Sequence, residues 1–183
     1  MPTDRQRRAA AKNSKRGYRF QYRVACAMTK VWGMKVVSSP RSGGSHWKGD
    51  IIPKDPATDW NSWPFVVECK SRESWDLRQL LLQPKGGVLA EWWWKVSREA
   101  DAASKLPLLI VSCRSRPGDF AITPRVMWEG PYDDLDRLIL YENQAMGCSF
   151  FVHEFGRFLR FNTLEEWTLL WVHGRTGEPP SET

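Results

Sequence analysis

The order of elements legible in the sequence, α-β-β-β-α-β with a strand-rich finish, predicts an α/β domain. Its centre is a mixed β-sheet of four or five strands, with helices on both faces. Two further observations support that class. The run Leu108-Leu-Ile-Val-Ser-Cys113 follows a helical pattern and is almost continuously apolar, the mark of a strand covered on both faces. Hydrophobic residues make up 42% of the 183 positions and charged residues 26%, enough apolar side chain for one packed core.

Residues 1–13 are basic and Ala-rich and are expected to form a flexible arm, with a single domain spanning 14–173. From Ser14 to about Trp32, the residues Phe20, Val24, Ala27, Met28 and Val31 recur at steps of three and four, one apolar stripe of a helix. Gly33 is placed to cap its C-terminus. Lys35-Val-Val-Ser38 reads as a short strand, followed by the small-residue loop Ser39-Pro-Arg-Ser-Gly-Gly-Ser45. Asp50-Ile-Ile-Pro53 and Phe65-Val-Val-Glu-Cys-Lys70 read as strands, separated by a loop rich in Pro, Asp, Asn and Trp.

Ser74 can cap a helix carrying Leu77, Leu80 and Leu81; Pro84-Lys-Gly-Gly87 interrupts it, and a second helix runs from about Val88 to Ser104. Beyond the strand 108–113, Phe120-Ala-Ile122, Phe150-Phe-Val-His153 and Arg157-Phe-Leu-Arg-Phe161 read as strands, the last two as a hairpin turning at Gly156. Thr163 with Glu166 three positions on is a capping box that opens a helix ending near Val172. The tail 174–183 is expected to fray.

Charge and cysteine usage narrow the class. Residues 1–30 hold nine Lys and Arg against Asp4 alone, whereas residues 31–183 hold eighteen basic and twenty acidic side chains. The positive excess is therefore confined to the N-terminal sixth, which fits a polyanion partner, since each Lys or Arg beside a phosphate releases condensed counterions, and equally, on charge alone, a solvated leader that aids solubility. The four cysteines (Cys26, Cys69, Cys113, Cys148) lie at least thirty-five positions apart, which excludes a Cys-x-x-Cys zinc clamp and argues against a dense disulfide framework. No apolar run approaches the ~20 residues of a membrane span, and no signal-peptide pattern opens the chain. The expectation is a soluble, cytoplasmic protein with no membrane partner, associated with the nucleoid or, if viral, with the host cytoplasm.

Three residues stand out chemically: Asp50, then Glu68 and Lys70 in Glu-Cys-Lys. Side chains at i and i+2 of a strand share a face, so Glu68 and Lys70 project together while Val67 and Cys69 face the other way. Antiparallel pairing of the Asp50 strand with strand 65–70 would set Asp50 beside Glu68. Two carboxylates held close repel unless a cation lies between them, and Mg²⁺ suits an all-oxygen site in which it keeps several waters. A neighbouring lysine can orient a water or neutralise charge building on a phosphorane.

The pattern Gly49-Asp50…Glu68-Cys-Lys70 resembles the PD-(D/E)xK nuclease superfamily. With Lys15-Arg-Gly-Tyr-Arg-Phe-Gln-Tyr-Arg23, Val36-Val-Ser-Ser-Pro-Arg-Ser-Gly-Gly-Ser45, Asp50-Ile-Ile52 and Val66-Val-Glu-Cys-Lys-Ser71, it is similar to the archaeal-type (Hjc-like) Holliday-junction resolvases over about residues 14–115. The resemblance implies a restriction-endonuclease-like core and a homodimeric, Mg²⁺-dependent endonuclease (Mn²⁺ able to substitute) that cuts four-way DNA junctions without a small-molecule cofactor. It implies metal binding by Asp50 and Glu68 and water activation by Lys70. It also implies an assisting role for Ser42 and Ser45 near the scissile phosphate, and DNA contacts from Arg16, Arg19, Arg23, Arg41, His46, Lys48 and Arg72. Family members carry a glutamate on the first helix where this chain has Gln21, whose amide oxygen can still coordinate a hard cation or hold its water but brings no charge. Glu73, just past the motif strand, is placed to compensate.

Two other readings remain open: another endonuclease of the same fold, nicking or restriction-type, and a non-catalytic branched-DNA-binding module with a decayed site. Other features weigh towards structure. The histidines His46, His153 and His173 show no ligand spacing, and the last two read as structural. Trp92-Trp93-Trp94 points three ways on a helix, so at least one ring belongs to the core.

Overall fold

The computed structural model describes residues 3–39, 47–72, 87–113, 118–125, 139–143, 148–161 and 163–176. Outside these lie Arg41, Ser42, Ser45, His46 and Glu73, the Ser74 helix with Leu77, Leu80 and Leu81, Pro84-Lys-Gly, and the end of the tail, as does the side chain of His173.

The first helix, α1 (Asp4–Trp32), begins ten residues before Ser14. Its start is a capping box: Thr3 accepts from the Gln6 amide and the Gln6 side chain accepts from the Thr3 amide. Ala-rich sequence with good helix formers carries the helix on from there, without help from the core, since the described side chains from Thr3 to Lys15 are exposed. Packing starts at Phe20 and continues through Val24, Ala25 and Met28, while Val31 stays exposed. At the other end Gly33 adopts the left-handed conformation (φ 74°) and its N–H donates to Thr29 O at 3.1 Å, as the glycine predicts.

Among the described residues the strands form one seven-stranded mixed sheet of order β1-β2-β3-β4-β5-β7-β6. These are β1 (Val36–Ser38), β2 (Ile51–Pro53), β3 (Phe65–Arg72), β4 (Leu106–Cys113), β5 (Asp119–Pro124), β6 (Ile139–Asn143) and β7 (Cys148–Glu154). The β3–β4 pair is parallel, from Phe65↔Leu106 to Arg72↔Cys113, and the other neighbours are antiparallel. The sheet exceeds the expected four or five strands because every run read as a strand joins it except 157–161, and β6, Ile-Leu-Tyr-Glu-Asn, adds a further edge. Between β2 and β3 the loop winds into a short helix α2 (Pro56–Asp59) and a single 3₁₀ turn (Trp60–Ser62).

The alternation of β3 divides the interior. Phe65, Val67 and Cys69 join Phe20, Val24 and Met28 of α1 in one core, completed by Phe158, Leu159 and Trp167. Val66 faces the other way, into a second core with Leu109 and Val111 of β4 and with Leu89, Trp92, Trp93 and Val96 of helix α3 (Gly87–Ala102). Of the three consecutive tryptophans, Trp92 and Trp93 are therefore core and Trp94 is exposed.

The predicted hairpin at Gly156 is overturned. Residues 155–161 form helix α4 (Phe155–Phe161), followed by α5 (Leu164–Thr176). The Glu154 carboxylate accepts from the Gly156 and Arg157 amides at 3.0 and 2.9 Å, which satisfies two N–H groups that a helix start leaves open. Phe155, Phe158 and Leu159 then fall at helical spacing on the buried side. The capping box at Thr163 and Glu166 is present as predicted.

Candidate active site

Gly49 and Asp50 lie where β2 begins. Gly49 has φ +102°, and a Cβ on it would stand 2.9 Å from Val67 O and 3.0 Å from Val67 N, so the backbone of β3 leaves room only for glycine. That close approach seats Asp50 against β3. Its amide donates to Val67 O at 2.6 Å, its carbonyl accepts from Ser39 N at 2.8 Å, and its Oδ2 accepts from Cys69 N at 2.9 Å. The ladder continues at Ile51↔Val67, which sets Asp50 beside Glu68 across an antiparallel pair.

Glu68 stands in the middle of β3 on the α3 face, with Asp50 and Glu68 only 4% and 3% exposed. A buried carboxylate needs partners, and Glu68 has two cations on one oxygen. Lys70, two positions along the same face, donates to Oε1, and Lys95 of α3 donates to the same atom at 3.0 Å. Lys95 also pairs with Glu99 one turn on, at 3.6 Å. Partial burial works against its charge, but the hydrogen bond to Glu68 and the negative fields of Glu68, Glu99 and Asp50 outweigh that and raise the Lys95 pKa. The fields of Asp50 and Glu68 also both reach Cys69. Burial first, then those two charges, push its thiol well above the ordinary range, so it stays protonated at neutral pH.

The sequence-predicted residues divide accordingly. Asp50, Glu68 and Lys70 come together. Arg72 continues the row of Glu68 and Lys70 at the end of β3, its guanidinium 5.8 Å from the Trp92 ring centroid. Lys48 is exposed two residues before Asp50. Gln21 is half-buried on α1, which covers the opposite, Phe65–Val67–Cys69 face of β3. Arg16 and Arg19 lie on α1, Arg19 exposed and Arg16 half-exposed, while Arg23 is tied to Asp119 of β5 at 2.9 Å. Ser42, Ser45, Arg41 and His46 fall outside the described residues.

Lys95 is the residue that sequence reasoning missed. No local sequence signal marks it, because its role depends on α3 packing over the face of β3 that carries Glu68.

Two oxygen donors without thiolate or imidazole fit a hard divalent cation. Among the described residues no group of three or more His, Cys, Asp or Glu side chains gathers as a metal site, so a cation here would rest on the carboxylate pair and water. Mg²⁺ is bound in that manner, through one or two carboxylates, its own waters and substrate phosphate. Among the described residues no helix is long and apolar enough to cross a membrane.

A family model described as phage putative PDDEXK endonuclease matches residues 12–145, a span that includes α1 from residue 12 onward, the Asp50 turn, the Glu-Cys-Lys strand and Lys95. No curated protein and no solved structure matches the chain.

Proposed function

We propose, from the premise that the chain belongs to this PDDEXK endonuclease family, that it hydrolyses DNA phosphodiesters at Asp50, Glu68 and Lys70, with a preference for four-way junctions. The observation that carries the catalytic reading is the pairing of Asp50 with Glu68 across β2 and β3, Lys70 being on the same oxygen of Glu68. Asp50 and Glu68 would hold the Mg²⁺ (or Mn²⁺), which supplies Lewis-acid polarisation of the phosphate and a nucleophilic water at neutral pH. The Cys69 amide fixes the Asp50 carboxylate, so one ligand is oriented before any ion arrives. Lys70 aligns the attacking water and offsets negative charge on the phosphorane, and burial of both carboxylates strengthens those fields. Gln21 and the serines Ser42 and Ser45 are assigned supporting roles by resemblance alone.

The junction preference rests on the likeness of the ordered motifs to the Hjc-like resolvases and on α1. That helix carries nine Lys and Arg along 29 residues, about 44 Å, and its first turns project from the core with their side chains exposed. Such an arm grips phosphates by charge and shape rather than by base edges. A homodimer would supply the two cuts a junction needs, its twofold axis matching that of the substrate.

The test compares cleavage of a synthetic four-way junction with that of a linear duplex of the same arms, in Mg²⁺, for the wild type and Asp50→Asn. Junction cutting that Asp50→Asn abolishes, with the duplex much slower, is the expected result. Equal rates on both substrates would leave a nicking or restriction-type enzyme, and junction binding without any cutting in Mg²⁺ or Mn²⁺ would leave a binding module.

A further inference from the structure

One feature of the molecule lies apart from the carboxylates. Between α1 and the edge strand β1 runs a groove of about 380 Å³, within the size range that small ligands occupy. Tyr18, Tyr22 and Cys26, one helical turn apart, form one wall, and Val36, Val37 and Ser38 form the other, over Ala25 and Thr29. Thr29 Oγ1 accepts from Val36 N at 3.1 Å, which ties the strand to the helix and keeps the walls at a fixed separation. Both phenol rings stand open to solvent, Tyr18 at 58% and Tyr22 at 60%. The hydrogen bond to Cys26 raises the Tyr22 pKa, so the ring is neutral at physiological pH. Among the described residues, the charged ones lining the groove are Lys30 and Lys35, and Lys15 and Arg19 lie earlier on the same helix.

We propose that this groove holds an unpaired nucleotide of the DNA substrate, its base stacked on Tyr18 and Tyr22 and its flanking phosphates held by Lys30 and Lys35. A flat apolar body carrying negative charge is the ligand that open aromatic rings between cations recognise. A second copy of the chain fits the face poorly. A twofold contact would bring the same patch against itself and oppose two helices that each carry nine basic residues against one acid. The place is also suitable, because β1 leads directly to Ser39, whose amide holds the Asp50 carbonyl. The inference rests on the nuclease reading only in taking DNA as the ligand; it adds that the substrate has an unpaired segment, held on the α1 side of the sheet.

The experiment measures binding of a fluorescent single-stranded oligonucleotide and of a blunt duplex of the same sequence, by anisotropy in EDTA, so that it does not depend on cleavage. Tyr18→Ala/Tyr22→Ala should bind the single strand about tenfold or more weakly, while duplex affinity changes less than about twofold. Tyr18→Phe/Tyr22→Phe, which keeps both rings, should bind both like the wild type. An equal loss on both DNAs, or no loss on either, overturns the proposal. So does a change of sedimentation from dimer to monomer in the alanine variant, which would give the groove to a second copy. Retained strand-selective binding in a protein that cuts nothing would sink the catalytic reading and leave this one standing.

Discussion

Glu68 shares one carboxylate oxygen between Lys70 and Lys95, and that arrangement predicts non-additive energetics. The Glu68 side chain is 4% exposed, whereas Lys70 and Lys95 are 26% and 51% exposed. Either lysine can swing into water if its partner is lost, but the carboxylate cannot. Lys95→Met therefore leaves Glu68 with Lys70 and should cost about 1 kcal/mol, the scale of a half-exposed ion pair. Lys70→Met should cost about 1–2 kcal/mol, since Lys70 is the more buried partner. The double variant strands a buried carboxylate with no cation and should cost about 3–5 kcal/mol, more than the two single losses together. Urea unfolding in EDTA measures all four proteins of the cycle. Millimolar Mg²⁺ should then stabilise the double variant more than the wild type, because the ion replaces the missing charge and competes with no lysine. A ligand at a hundredfold excess over its Kd adds about 2.7 kcal/mol, which such melts resolve readily. The reasoning fails if the double loss merely equals the sum of the singles, or if Mg²⁺ stabilises both proteins equally.

Three further outcomes follow from other sites. Burial lowers the pKa of His153 from 6.5 to about 4, so the unfolded chain takes up the proton first and stability falls as pH drops from 6.5 towards 4. That loss, on the order of 3 kcal/mol, should be absent from the pH dependence of His153→Gln in paired urea titrations at pH 7 and 4.5. Gly49→Ala meets the Val67 backbone at a positive φ and should lower stability by about 1–3 kcal/mol; an unchanged thermal midpoint would show that the turn can relax. Glu154→Ala removes the side-chain acceptor for two amides at the start of α4 and should cost about 1 kcal/mol, read from the same melts.

Sequence patterning reached the parts of the molecule where local and tertiary preferences agree. The strands β1 to β4 are short apolar runs bounded by turn residues, and Gly33 ends α1 because only a left-handed cap closes the helix there. Asp50 and Glu68 were legible as neighbours because strand alternation is a fixed geometric rule. Where the outcome depended on one side chain, the pattern was ambiguous. Arg157-Phe-Leu-Arg-Phe161 suits a strand or a helix equally, and the Glu154 cap decides for the helix. The start of α1 was written in Thr3 and Gln6, but the lack of apolar residues over positions 3–15 hid it, since periodicity reports burial and that segment has none. Lys95 was out of reach for a different reason. Its role depends on which face of β3 the later helix covers, a long-range fact that no local window contains.

The two faces of β3 also explain how so polar a motif can sit in a central strand. Phe65, Val67 and Cys69 are committed to the α1 core, while on the other face only Val66 is buried among the apolar residues of α3 and β4. The opposite face is thereby released after Val66, and Glu68, Lys70 and Arg72 occupy it in succession towards the end of the strand, with exposure rising along the row. The acid thus sits deepest, where the low dielectric makes a cation most valuable, and the basic groups sit nearest to solvent, where a phosphate would enter. Reversing the order to Lys-x-Glu would bury an ammonium beside α3 and set the carboxylate at the mouth to repel the substrate. The direction of the strand is therefore part of the chemistry, and a Glu68→Lys/Lys70→Glu swap should lose DNA binding in EDTA as well as cleavage, whereas Asp50→Asn should lose cleavage alone.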